Sequence, residues 1–235
     1  MEILKIKKDF LLHIEDKKEL LVLYYMWIKE DKEKNISFSI NELVEYWEYS
    51  PHRDKGRINQ IFRNILLKFK NNNIIHTSCN FDIIKNNHKI TAKILNNNEN
   101  IFFVTLTIHE MNKIKECIQL NTSIKKIHIE KLLYVYLLIK SHMNFSPNCV
   151  PLCYLSIDKI VSLSGFSKPT VEKYIKLLQE NNIIQKYNLG YFKNTKGYSV
   201  IIPTVYTLNP VDVKTIKNNI KHILYNFESW GEDAI

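Results

Sequence analysis

Five polar side chains in one short stretch carry the most legible chemistry of this chain. Lys168, Thr170, Glu172, Lys173 and Lys176 take the outer side of a helical segment once Val171, Tyr174, Ile175 and Leu178 claim its apolar side. Ammonium groups neutralise phosphate oxyanions, while hydroxyls and carboxylates hydrogen-bond to base edges. Glu172 offers the acceptor that a cytosine amino group needs. Ser167 precedes the segment as its cap, and Pro169 sits in the first turn, where a missing N–H costs nothing.

The elements that must position these groups are written around them. Ser156 predicts an N-cap, with Lys159 at the third helical position and so no capping box. Ile157, Ile160, Val161 and Leu163 supply the apolar side of a short helix. Gly165 permits a tight turn, and Phe166 plugs the angle between two helices. Asn181 and Asn182 end the second helix, and Ile183 and Ile184 begin a strand. Tyr187 to Tyr198 contains Gly190 and Gly197, and Ser199 to Leu208 is rich in β-branched and aromatic residues. This predicts a hairpin with a basic tip, where Lys193 and Lys196, with Lys176, hold phosphates and set register. Tyr191 and Phe192 would either pack that hairpin or touch a sugar or base step in the minor groove. Helix, turn, helix and hairpin in this order form a winged helix-turn-helix, whose second helix suits the DNA major groove. The same pattern also serves protein-binding modules that never touch DNA.

The unit occurs twice. SINELVEY at Ser39–Tyr46 matches SIDKIVSL at Ser156–Leu163, and LLKFKNNNIIH at Leu66–His76 matches IKLLQENNIIQ at Ile175–Gln185. A strongly apolar helix precedes each, Glu19–Glu30 and Glu130–Ser141. The first copy carries extra residues in its turn, EYSPHRDKG at Glu48–Gly56. Its recognition-like helix would run from about Arg57 to Lys70, with Ile58, Ile61, Phe62, Ile65, Leu66 and Phe69 inside. Arg57, Gln60, Arg63, Asn64 and Lys68 would lie outside, with Arg53 and Lys55 just ahead; these basic groups offer a second DNA contact or a partner surface. Its wing would be a hairpin from Ile74 to Leu95, with a third strand at Ile101–Thr107.

Charge follows the same division. The net charge is +9, and residues 50–93 hold 9 basic but 2 acidic side chains. Residues 111–200 hold 13 basic and 5 acidic, whereas residues 1–49 hold 8 basic and 11 acidic. Positive charge gathers where a duplex would lie. A chain this rich in Lys, Asn and Ile also fits an AT-rich coding sequence, which adds surface lysine without purpose.

Other chemistries find little support. Cys149 and Cys153 do not have the two-residue zinc knuckle spacing, no second pair follows, and no metal or cofactor is expected. The 5 glycines build no phosphate loop, and no catalytic set converges, so the chain reads as non-enzymatic. Glu42 and Glu45 read as solvated. No apolar run is long enough for a bilayer, the start lacks a secretory signal, and the 4 cysteines show no disulfide framework; a cytoplasmic location is expected.

The expected architecture is α+β and helix-rich, with two winged helix-turn-helix domains in tandem. A first domain spans 1–107, a connecting helix and linker 108–123, a second domain 124–208, and a C-terminal helix and tail 209–235. Asn121–Ser123 marks a break, and Val213–Tyr225 has the spacing of an amphipathic helix. From about Lys17 to Leu208 this architecture resembles the plasmid replication initiators with two winged-helix domains. Leu155–Lys186 is the sequence-specific part of the resemblance and is shared with many repressors. The resemblance implies sequence-specific binding of double-stranded DNA at origin repeats, with the second domain reading the groove and the first contacting backbone or mediating dimerisation. A homodimer and the replication or transcription machinery are the further partners it suggests. A winged-helix transcriptional regulator and a structural, partner-binding tandem protein remain the alternatives.

Overall fold

The computed structural model describes residues 3–49, 57–95, 102–120, 127–145, 150–193, 199–201 and 204–219. The chain opens with β1 (Ile3–Lys7) and α1 (Lys8–His13), followed by α2 (Lys18–Lys29), β2 (Asn35–Phe38), α3 (Ile40–Tyr46), α4 (Arg57–Asn71), β3 (Ile75–His76) and β4 (Ile90–Ile94). Next come β5 (Phe103–Thr107), α5 (Ile108–Leu120), α6 (Ile129–Ser141), β6 (Met143–Asn144), β7 (Leu152–Tyr154), α7 (Ile157–Ser164) and α8 (Lys168–Glu180). The remaining strands are β8 (Gln185–Tyr187), β9 (Tyr191–Lys193), β10 (Ser199–Ile201) and β11 (Val205–Thr207). The fold is α+β and helix-rich, with small antiparallel sheets. No described helix is long and apolar enough to cross a membrane. The chain divides into two compact units: His13–Phe102, and Met1–Leu12 together with Phe103–Ile235.

In the 13–102 unit, α2 buries Leu20, Leu21, Val22, Tyr24, Tyr25 and Met26, so apolar groups surround it and it becomes the central element. In β2, Ile36 and Phe38 alternate inward with the two-residue period of a half-buried strand. Ser39 and Glu42 cap α3 reciprocally: Glu42 N–H donates to Ser39 Oγ at 3.2 Å, and Ser39 N–H to Glu42 Oε2 at 2.9 Å. Phe62, Ile65, Leu66 and Phe69 of α4 are buried as the spacing predicts, whereas Ile58 and Ile61 are half-buried. The sheet order is β2–β4–β3. The expected Ile74–Leu95 hairpin forms only at its base, with Ile75 opposite Ile94 and His76 opposite Lys93. Residues 77–89 leave the sheet. The extra turn expected at Glu48–Gly56 lies from residue 50 onward outside the described residues.

The C-terminal unit differs from expectation at its start. The strand foreseen at Ile101–Thr107 exists as β5, but it pairs antiparallel with β1 and not with β3 or β4. Leu4 and Ile6 pair with Leu106 and Val104, so the apolar sides of both strands coincide and are buried together. The helix foreseen as a connector is likewise part of the core. Met111, Ile114 and Cys117 form a buried stripe on α5, which packs on α6 and α8. Residues 1–12 and 103–120 therefore belong with the C-terminal unit, in place of a boundary at 107 and a linker to 123. The break at Asn121–Ser123 lies outside the described residues.

In that unit the main sheet runs β6–β7–β11–β8. The single strand expected at Ser199–Leu208 is two: β10 pairs with β9, and β11 enters between β7 and β8. The basic tip at 194–198 lies outside the described residues. Helical turns over 213–219 bury Ile216 against Leu152 and Val205, so this segment covers its own unit.

Both units thus contain helix, strand, helix, helix, strand, strand, and in each the last strand lies between the other two: β2–β4–β3 and β7–β11–β8. The helix ends match as well. Asn73 N–H donates to the Lys70 carbonyl at 3.1 Å and Ile74 N–H to that of Phe69 at 2.8 Å. Asn182 and Ile183 donate to Gln179 and Leu178 at 2.9 and 2.8 Å. This pair of bonds is the Schellman closure, and it brings α4 and α8 into the same phase. Phe62, Ile65, Leu66 and Phe69 then correspond to the buried Val171, Tyr174, Ile175 and Leu178, and Arg63 corresponds to Glu172.

Candidate nucleic-acid interface

The helical pair α7–α8 is built from local signals. Ser156 caps α7 by accepting Lys159 N–H at 3.1 Å. Gly165 ends α7 at φ 69°, a left-handed conformation that lets the chain reverse tightly. Phe166 then packs edge-on against Tyr134 of α6, with ring centroids 5.9 Å apart, which fixes the angle between the helices. Ser167 holds the cap position of α8 in extended backbone. Its hydroxyl lies 2.8 Å from Thr170 Oγ1 and makes no cap bond to a backbone N–H. Pro169 in the first helical turn removes one of the N–H groups that a cap would take.

Beyond the cap, α8 buries Val171, Tyr174, Ile175, Leu177 and Leu178. Ser167, Lys168, Glu172 and Lys176 are exposed, and Thr170 and Lys173 are half-buried. All six therefore share the first three turns of one element, as the spacing predicts. Lys168 Nζ lies 3.1 Å from Asp158 Oδ1 of α7, and Lys176 Nζ lies 3.6 Å from Glu180 Oε1 one turn on. Lys173 Nζ sits 5.9 Å from the Tyr174 ring centroid. Exposed ion pairs of this kind contribute about 0–1 kcal/mol. A phosphate oxyanion arriving at Lys168 or Lys176 therefore has little to displace. Lys193 belongs to β9, and Lys196 lies outside the described residues.

The first copy behaves otherwise. Arg57 and Gln60 are exposed, and Gln60 donates to Asn64 Oδ1 at 2.8 Å. Arg63, expected to face outward, is instead a clamp on the chain's own backbone. Its Nη1 donates to the Phe81 carbonyl at 2.6 Å and to the Ile84 carbonyl at 2.7 Å, and its Nη2 to Asn86 Oδ1 at 2.6 Å. The planar fork of guanidinium satisfies three acceptors that a turn-rich segment cannot satisfy itself. Lys68 also turns away from the expected role, reaching Glu15 Oε2 at 3.1 Å and Glu19 Oε1 at 3.0 Å. Glu19 is only 2% exposed, so its charge requires this partner. Burial works to lower the Lys68 pKa, but hydrogen bonds and charge from Glu19 and Glu15 outweigh it and raise the value. Arg53 and Lys55 lie outside the described residues.

Sequence reasoning did not find the partners Asp158, Glu15, Glu19 and the carbonyls of residues 81 and 84. Only Glu180, four residues beyond Lys176 on one helix, carried a readable signal. Glu42, read as solvated, is exposed but engaged: Lys89 Nζ lies 3.1 Å from its Oε1, and bonds from Ser39 and Lys89 hold its carboxyl below the usual value. Cys153 is a core thiol of β7, its pKa pushed up to about 12 by burial; Cys149 lies outside the described residues. No protein-family model matches the chain, and no curated protein matches it either.

Proposed function

We propose that this chain is a non-enzymatic, sequence-specific double-stranded DNA-binding protein made of two winged helix-turn-helix units, acting as an origin-binding replication initiator of a plasmid or phage. The observation that carries the reading is the exposed basic face of α8. It is borne by a helix pair that stands between β7, before it, and β8 and β11, after it, and these strands pair in the order β7–β11–β8. In this reading α8 lies in the major groove. Lys168 and Lys176 meet phosphates, and Thr170, Glu172 and Lys173 reach base edges or flanking phosphates. The β9–β10 hairpin serves as the wing beside it.

Selection of bound duplexes from a randomised pool tests this. A defined motif is expected. Lys168→Ala then weakens binding to every duplex and lowers the salt slope by about one. Glu172→Ala changes the preferred motif. A pool without enrichment, or a motif and affinity indifferent to both variants, overturns the reading. Recovered sites arranged as direct repeats favour an initiator, and inverted repeats favour a transcriptional regulator in the same fold.

A further inference from the structure

Residues 1–12 belong to the C-terminal unit, and they bring it a charge that the sequence places far from α7 and α8. β1 pairs with β5 and buries Leu4 and Ile6, and α1 buries Leu11, so Lys8 is held where strand passes into helix. In the β6–β7 pair Met143 lies opposite Cys153, which puts His142 at the end of the pair that leads into α7. His142 is half-buried, with its Nδ1 2.9 Å from the Leu138 carbonyl. Burial lowers its pKa, the bond to Leu138 works against this, and the charges of Lys8 and Lys159 lower it further. At Cys153 of β7, burial pushes the thiol pKa up and the charge of Lys8 opposes it. One ammonium from α1 and one from α7 therefore stand about the same imidazole, which stays neutral at physiological pH.

Neither ammonium is answered by the chain. Lys159 is exposed and Lys8 half-buried, and among the described residues neither side chain has a hydrogen bond or an ion pair. Lys140, Lys168 and Lys176 of the same unit each have a carboxylate. Two cations gathered without a carboxylate between them repel, and an oxyanion relieves that repulsion. The acids nearest in sequence are Asp9, next to Lys8, and Asp158, which is paired with Lys168. That pair ties α7 to α8, so positive charge continues from the first turn of α8 onto α7 at Lys159. In a helix-turn-helix the helix before the reading helix crosses the DNA backbone, and α7 holds that place. We propose that Lys8 and Lys159 form a second phosphate-binding site of the C-terminal unit, which holds the DNA backbone where α7 crosses it, beside the groove read by α8. This rests on the DNA-binding reading of α8. The contact is to phosphate, so it adds affinity and register without adding sequence preference.

The test measures the affinity of the full chain for the duplex motif recovered by selection, across a range of salt. Lys8→Gln and Lys159→Ala are each expected to lower the slope of log affinity against log salt by about one, and the double variant by about two. The recovered motif stays unchanged. Lys8→Arg keeps the charge and the wild-type slope. Lys113→Ala, which removes an exposed cation of α5 in the same unit, also leaves the slope as it was. Should Lys8→Gln fail to fold, Lys8→Met keeps a long apolar stem and takes its place. A wild-type slope in either the Lys8 or the Lys159 variant, beside a lowered slope in Lys176→Ala, overturns the second site and leaves the DNA reading intact. An equal loss in Lys113→Ala overturns it too, because any cation of the unit would then serve. Indifference of binding to every variant, those of α8 included, removes the DNA reading and this site with it.

Discussion

Asn73 and Asn182 share a backbone conformation that few residues adopt. Each has φ 54°, and each stands one position beyond the cap of its long helix, α4 or α8. Asparagine tolerates the left-handed region better than most L-residues, and the Schellman bonds that depend on it direct Ile74 and Ile183 toward the following strand. This pair of equivalent stops is the firmest sign that the units repeat.

Asn182→Ala is expected to cost about 1 kcal/mol of folding stability, because alanine pays the full left-handed penalty. Asn182→Gly should be close to neutral. Urea unfolding of the two variants separates backbone strain from lost side-chain contacts. Asn73→Ala and Asn73→Gly should repeat the pattern.

Gly165 makes the same argument with a glycine. Its φ is 69°, and a Cβ built there meets nothing within 4 Å. Gly165→Ala should therefore cost about 1–2 kcal/mol from the backbone alone, without a clash. Gly165→Asn should cost less. Thermal unfolding that showed Ala and Asn equal would point to a packing cause instead.

Arg63→Ala leaves two carbonyls and the Asn86 side chain without their donor. Loss of about 2–3 kcal/mol is expected, in line with hydrogen bonds to a charged group. Arg63→Lys should recover less than half, because an ammonium cannot span the same acceptors as the guanidinium fork. Amide exchange should quicken at Ile84 and His88, whose N–H groups bond within the held segment.

Glu110 ties α5 to α6 and gives the C-terminal unit an acid-sensitive contact. Its Oε1 accepts from Tyr136 Oη and from Lys140 Nζ, each at 2.5 Å, and Lys140 is buried. Burial alone would raise the Glu110 pKa, but the bonds from Lys140, Tyr136 and the Thr107 N–H outweigh it and hold the carboxyl below its usual value. The unfolded chain therefore binds this proton more readily than the folded one. Its stabilising effect is complete above the unfolded value of about 4.3 and is lost as pH falls through the folded value. Glu110→Gln should cost about 3 kcal/mol at neutral pH, since it leaves the Lys140 charge buried and unpaired. The variant should also lose the wild type's decline in stability across that acid range, as denaturant titrations at stepped pH would show.

What could be read from the chain alone was local. Ser156 as a cap, Gly165 as a left-handed turn, the asparagine stops, and the buried stripes of α4 and α8 all depend on residues within a turn or two of each other. Backbone sterics and helical period decide them before any tertiary contact forms. The outward placement of Lys168, Glu172 and Lys176 follows from the same period. Tertiary structure alone decided what the first copy's basic side chains meet. Arg63 and Arg57 both stand on one helix, yet Arg63 finds its acceptors 18 to 23 residues away and Lys68 finds Glu15 53 residues away. The pairing of β1 with β5 spans nearly the whole first hundred residues. A periodic pattern says which side of an element faces outward, but not which other segment comes to lie against that side. That depends on chain reversals far along the sequence, and here they turned charge that looked free for a duplex into the contacts that hold the unit's own loop and helix.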